Sequence, residues 1–251
     1  MNSERSEIVN LLSTDREWAA YALADLDPAH REHCDWMVGH GAVLLIYGAL
    51  QPPVLFLHGD SESLTDLLAQ VPPGEYQFSC LPSHIPMVKQ HLDIANQTGM
   101  WRMSLSEEPH RQIRSPNRVR RLSVENLGDI SNLVGEHPDA PDAFSPSQLD
   151  DGAFYGVFID QRLVAMSGTH VCSNTHRLAA IGNVFTDPAF RGNGFAALTT
   201  QAVVRGLLAQ GIETIVLNVA RSNRAALKAY QRIGFQPYCK YFEGYAQTIK
   251  R

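Results

Sequence analysis

The sequence predicts an α/β (α+β) chain: a mixed, mostly antiparallel sheet flanked by helices, preceded by a second, smaller α/β domain. Three observations carry this. The chain has 251 residues, more than the common single-domain size. Short apolar runs of strand length alternate with longer segments whose apolar residues recur at helical spacing. A polar stretch with two prolines, residues 107–117, separates one set of elements from the other. The expected domains are residues 1–110 and 117–251.

The first set begins with residues 15–25. They read as a helix capped by Thr14 or Asp15, with Trp18, Tyr21, Ala22 and Leu26 at helical spacing. Residues 42–47 (AVLLIY) and 54–58 (VLFLH) are apolar runs separated by Pro52 and Pro53, and read as paired strands. Residues 61–70 read as a helix that opens on a Ser-Glu-Ser-Leu capping signal and stops before Pro72 and Pro73. A short strand at 76–80, a helix at 85–96 and a strand at 100–105 complete the set.

After the linker, a strand at 119–122 carries Arg118, Arg120 and Arg121, which read as an exposed edge. Residues 124–136 are a helix, and 144–150 a short helix opened by Ser145-Pro146. Strands at 154–159 and 163–171 are joined by an Asp160-Gln161-Arg162 turn, and 177–186 is a further strand. A long helix at 193–210 is closed by Gly211. A strand at 212–219, a helix at 223–233 closed by Gly234, and a last strand at 238–245 follow.

Composition narrows the function. The net charge of −5 argues against general nucleic-acid binding. Its distribution is uneven. Residues 187–251 carry nine Lys/Arg and three Asp/Glu, a local +6, so residues 1–186 carry −11. A basic C-terminal quarter suits a small anionic ligand, or is a solvated surface. Cys34, Cys80, Cys172 and Cys239 are far apart and form no CxxC pair, so neither a zinc site nor a disulfide framework is expected, and no metal. The polar start, Met1 to Arg5, lacks a signal-peptide pattern, and no apolar run approaches the ~20 residues that span a bilayer. The expected setting is cytoplasmic, away from membranes and nucleic acid.

The chemistry concentrates in IGNVFTDPAFRGNGFA, residues 181–196, which reads strand, turn, glycine loop, helix. Glycines let a backbone approach a ligand closely, and a helix start offers unpaired N–H groups and a positive dipole end, so the arrangement binds phosphate. Arg191 adds a fixed charge. Gly192 to Ala197 also satisfies the dinucleotide pattern G-x-G-x-x-A, but two checks fail. Residues 187–191 separate the strand from the first glycine, and the next strand offers Asn218 where an acid is wanted. The loop instead resembles that of the GNAT N-acetyltransferases, V-x-P-x-x-R-G-x-G-x-A, with Thr186 at the first position, then Pro188, Arg191, Gly192, Gly194 and Ala196. The resemblance implies a GNAT-like fold over residues 117–251. It implies that Arg191, Gly192, Asn193, Gly194, Phe195 and Ala196 hold the pyrophosphate of acetyl-CoA, the acetyl-donor co-substrate. It also implies that Val184, Phe185 and Thr186 pair with the pantetheine arm.

A second match follows at the spacing of the same family, N-x-x-A-x-x-x-Y-x-x-x-G-F: Asn223, Ala226, Tyr230, Gly234 and Phe235. Asn223 is implied to bond the pantetheine arm, a role compatible with capping the helix. Tyr230 lies two turns on, on the same face, and is implied to protonate the departing thiolate; a tyrosine keeps its proton at neutral pH. Arg221, Arg224 and Lys228 are candidates for the 3′-phosphate end, or solvated. The resemblance implies direct attack by a primary amine, of a small molecule or peptide, on the thioester. A backbone N–H of Val184 or Phe185 would stabilise the oxygen. Family members commonly carry a carboxylate on the strand before the loop. Here residues 179–186 contain none, and Asn183 is the only polar side chain before Thr186. His170 is the preferred base, with His176 and Glu243 as others. The missing carboxylate keeps a non-catalytic acyl-CoA-binding module open as the alternative. Trp18, Trp36, Trp101 and the acids at Asp139 and Asp142 are candidate acceptor-lining groups. The N-terminal mixture of strands and helices would suit a degenerate domain of the same type.

Overall fold

The computed structural model describes residues 2–106, 118–135, 137, 140–141 and 144–249. The expected linker, residues 107–117, lies outside them, as do Asp139 and Asp142.

In chain order the elements are α1 (Asn2–Leu12), α2 (Ala20–Ala24), β1 (Cys34–Gly39), β2 (Ala42–Tyr47), β3 (Val54–Gly59), α3 (Ser61–Leu68), β4 (Glu75–Cys80), α4 (Ile85–His91) and β5 (Leu92–Leu105). They continue with β6 (Val119–Arg121), α5 (Leu127–Val134), α6 (Gln148–Asp151), β7 (Tyr155–Ile159), β8 (Arg162–Ser173), β9 (Leu178–Thr186), α7 (Phe195–Ala209), β10 (Thr214–Ala220), α8 (Arg224–Ile233) and β11 (Phe235–Thr248). They group into two compact units. One comprises Met1–Arg102, Ala220–Ser222 and Pro237–Arg251, and the other Met103–Val219 and Asn223–Gln236. The last strand, expected with the C-terminal domain, pairs through Phe242–Gln247 with β4 of the first unit. Local sequence marks a strand but not its partner; the antiparallel register with β4 decides it.

The first unit has the strand order β1-β2-β3-β4-β11-β5. The first three strands are antiparallel neighbours, β3 and β4 are parallel, and β4 and β11 are antiparallel. The core is aliphatic and aromatic: Leu44, Leu55, Leu57, Leu64, Phe78 and Val88 are buried together. Asp60 caps α3, its Oδ1 accepting the Ser63 N–H at 2.9 Å, one residue before the expected start. Trp18 is fully buried, its ring tilted against Phe56 at 5.1 Å and Tyr241 at 5.4 Å, so it is core and not a cleft wall. Buried Arg102 lies over the rings of Trp18, Tyr21 and Tyr241 at 5.5, 4.8 and 5.6 Å.

The second unit has the order β10-β9-β8-β7-β6, antiparallel except for the parallel β10–β9 pair. One face packs Leu122, Ile130, Leu133, Phe154, Met166 and Phe185. Val157, Val164, Ala165 and Leu198 form a second cluster. Helix α7 buries Leu198, Val203, Val204 and Leu207 in the core. Its buried Thr199 and Thr200 hydroxyls are satisfied by Ser167 Oγ at 2.7 and 3.1 Å.

Candidate active site

The glycine loop enters α7 through two left-handed residues, Gly192 (φ +83°) and Gly194 (φ +76°), the latter being the N-cap. A side chain would be strained at either one. A Cβ built on either would meet nothing within 4 Å, so the loop borders open space. Arg191, Gly192, Asn193 and Gly194 are exposed, whereas Phe195 and Ala196 are half-buried. Arg191 is tied back by Nε, which donates to the Thr186 carbonyl at 3.2 Å, and its guanidinium carbon lies 5.9 Å from the Phe185 ring centre. Asn193 Nδ2 donates to the Phe190 carbonyl at 3.0 Å. Asp187 caps the preceding 3-10 turn through Ala189 N–H at 2.9 Å. These bonds shape the loop, and the first N–H groups of α7 have no partner within the helix.

Beside the loop, the parallel ladder of β9 and β10 runs from Leu178–Thr214 to Ile181–Leu217 and ends there. Both strands continue, β9 to Thr186 and β10 to Ala220. The strands therefore part where Val184, Phe185 and Thr186 lie, leaving that stretch of β9 without a ladder on the β10 side. Thr186 Oγ1 is buried there without a hydrogen-bond partner. Phe185 is core, edge-on to His137 at 5.3 Å, and Val184 is half-buried. An extended ligand with alternating donors and acceptors fits such an edge, so this chain's residues fit an acyl-CoA.

Asn223 caps α8, its Oδ1 accepting the Ala226 N–H at 3.1 Å. Tyr230 is buried on the same helix, its ring edge-on to Phe235 at 6.3 Å. Burial pushes its hydroxyl up from 10 to about 12. Arg224 and Lys228 are exposed.

His170 is half-buried on β8. Its ring covers Gly182, where a Cβ would come within 2.2 Å of it, and its Nε2 accepts the Asn183 N–H at 3.3 Å. The nitrogen that a base would use is thus engaged with backbone. His176 is half-buried in the turn after β8, its N–H donating to Ser173 Oγ at 3.1 Å. Glu243 lies on β11 in the first unit and accepts the Tyr241 hydroxyl at 3.0 Å. Sequence reasoning missed the neighbour of this region, Gln148. Its Oε1 accepts Asn183 Nδ2 at 3.0 Å, and its Nε2 donates to the His170 carbonyl at 3.1 Å. One signal was legible: a lone Asn in an otherwise apolar strand. Among the described residues no cluster of three or more potential metal ligands occurs, and no helix is long and apolar enough to cross a membrane.

The family described as acetyltransferase (GNAT) matches residues 123–235. The [ribosomal protein bS18]-alanine N-acetyltransferase of Haemophilus ducreyi is 37% identical over 65 residues, 26% of this chain and 45% of that protein. A mycothiol acetyltransferase of Mycobacteroides abscessus is 31% identical over 102 residues, 39% of this chain and 33% of that protein. The chain therefore spans less than half the length of these curated relatives. The crystal structure of a GNAT-family putative acetyltransferase from Novosphingobium aromaticivorans covers 91% of this chain and 96% of its own at 21% identity, with a TM-score of 0.63. It shares the fold. The matched segment contains the loop, the parting strands and α8, and residues 123–235 form a domain of the acetyltransferase (GNAT) family.

Proposed function

We propose that the chain is an N-acetyltransferase that moves the acetyl group of acetyl-CoA to a primary amine by direct attack. One observation carries the reading: β9 and β10 part beside a glycine loop that opens onto free space at the start of α7. Arg191 and the amides of Gly192, Asn193, Gly194, Phe195 and Ala196 would hold the pyrophosphate. Val184, Phe185, Thr186 and Asn223 would hold the arm. Acetyl-CoA supplies an activated thioester. The amine nitrogen forms the new C–N bond as the C–S bond breaks. A backbone N–H of Val184 or Phe185 takes the negative charge on oxygen, and the Tyr230 hydroxyl donates to the leaving sulfur. The amine's proton leaves to solvent, since the Nε2 of His170, the expected base, already accepts the Asn183 N–H, and no step uses a metal.

The acceptor is a small-molecule or peptide amine. The −11 charge on residues 1–186 favours a cationic one. Free cysteines and the lack of a membrane-spanning helix among the described residues favour the cytoplasm as its setting. The test is calorimetry with CoA and acetyl-CoA, followed by thiol release on an amine panel. Binding plus amine-dependent release is expected. Binding without release on any amine would favour the acyl-CoA-binding module, a reading supported by the absence of a carboxylate on β9. Absence of binding would end both readings, and a strong preference for anionic amino acids would end the charge argument.

A further inference from the structure

The β8–β9 ladder slips twice. Ala165 and Met166 oppose Thr186 and Phe185, but Gly168 and Thr169 oppose Gly182 and Ile181, one residue out of step. At Val171–Ala180 the original register returns and holds to Ser173–Leu178. Between Met166 and Gly168, β9 carries the extra residue, in the Asn183–Val184 step. Between Thr169 and Val171, β8 carries it, and that residue is His170. The two bulges compensate each other. A one-residue slip reverses which groups face each side of a strand. This pair therefore confines a reversal to four residues, immediately before Val184 and Phe185.

Side chains lock both bulges. Asn183 is left-handed at φ +52°, a conformation that asparagine tolerates better than most residues. Its N–H donates to His170 Nε2, the side chain of the opposite bulge. Its Nδ2 donates to the Thr169 carbonyl at 3.3 Å and to Gln148 Oε1 at 3.0 Å. Gln148 Oε1 also accepts the Ser145 N–H at 3.1 Å, while its Nε2 donates to the His170 carbonyl. Each amide is thereby oriented by the other's needs. The ring of His170 can lie where it does only because residue 182 is glycine. Asn183 and Thr169 are buried. This much polar connection in an apolar sheet marks a conformation that the surroundings must impose.

We infer that Gln148, Asn183 and His170 are positioning residues, whose clamp on the paired bulges decides which backbone N–H, that of Val184 or Phe185, faces the thioester oxygen. This rests on the proposed acetyl transfer and adds to it residues that touch no substrate. It also gives His170 work that its engaged Nε2 can do.

The test uses Gln148→Ala, which cuts the clamp, and Asn183→Gly, which cuts it while keeping the left-handed backbone accessible. The rate of thiol release from acetyl-CoA is followed with hydroxylamine. This small nucleophile is largely neutral at pH 7, so the rate reports on polarisation of the thioester and not on a base or an acceptor subsite. CoA affinity is measured by calorimetry. Both variants are expected to lose about 10- to 100-fold in kcat, the cost of a misplacement near 1 Å, while CoA affinity falls much less, because residues 191–196 are untouched and only the arm's contacts at residues 184–186 shift. Gln148→Glu keeps the oxygen that receives Asn183 Nδ2 and is expected to recover part of the rate. Unchanged kcat in a folded Q148A overturns the inference. So does a loss of CoA affinity in both variants as large as the loss of kcat, which would reveal general loosening of the unit. If the wild type binds CoA without accelerating release, amide exchange decides: faster exchange across residues 182–186 in Q148A is expected, and unchanged exchange overturns. A wild type that does not bind CoA fails on the proposed function instead.

Discussion

Tyr230 shows how one environment can sharpen one residue. Two turns of helix separate it from the capping Asn223, and burial against Phe235 takes its hydroxyl up to about 12. The direction matters for the proposed acid role. A raised value keeps the proton on throughout the working range, and the loss of that proton falls beyond it. An alkaline limb in the rate below pH 10 would then belong to another group. Tyr230→Phe removes only the hydroxyl and should cost about 10²-fold in kcat with CoA affinity little changed. Steady-state thiol release and calorimetry check this, and an unchanged kcat would remove Tyr230 from the chemistry. The place of Tyr230 two turns beyond Asn223 was legible from spacing, and its proposed role only from the family resemblance. The engagement of His170 was not, because it depends on a glycine twelve residues further along lying under its ring in a slipped register.

At the scale of elements, the helix start at Gly194 combines a conformational demand with an open approach. Gly192→Ala or Gly194→Ala meets no protein atom within 4 Å but must hold a left-handed φ, at a cost of about 1–2 kcal/mol. A loss of about 2–4 °C in Tm per kcal/mol follows for a protein of this size. The new methyl also points into the open space where the proposed pyrophosphate would sit, so CoA affinity should fall at least about tenfold. Thermal melts and calorimetry separate the two effects; a fall in Tm with unchanged CoA affinity would leave the glycines as cap residues alone. Elsewhere, local signals were overruled. Residues 85–96 read as one helix, yet α4 ends at His91 and Leu92 opens β5. The alternation of buried Leu92 with exposed Asp93 suits a strand, and β11 lies so close that a Cβ on Gly244 would come within 2.1 Å of the Asn96 carbonyl oxygen. Helix α1 and strand β1 were not anticipated. Residues 2–7 are all polar, so α1 shows apolar spacing only from Ile8, and β1 is a short run (CDWMVG) whose pairing with β2 makes it a strand.

At the scale of the whole molecule, stability against pH is set by opposed buried groups in the first unit. Burial lowers His58 and His84 below 6.5. Their native forms bind fewer protons than the unfolded chain, so the stability they confer is full above 6.5 and is lost as pH falls through that value. Burial, with Asp27 adding to it, raises Asp25 from 3.8 to about 8. Its native form binds more protons, so stability declines as pH rises toward 8. The two trends cross, and a stability maximum near pH 6.5 is expected in denaturation followed from pH 5 to 9. Asp25→Asn should flatten the alkaline side and His84→Asn the acid side. A maximum that neither substitution moves would show that other groups govern it. What the sequence determined by itself was the local and the periodic: a glycine loop after a strand, a cap and a tyrosine at helical spacing, strands punctuated by prolines, and the family these imply. The tertiary structure alone decided where β11 pairs and how the paired bulges bring Gln148, Asn183 and His170 together. The physical reason is that capping, turns and periodicity act over a few residues of chain. Register and side-chain clamps join residues as far apart as Gln148 and Asn183, and form only when the sheet does.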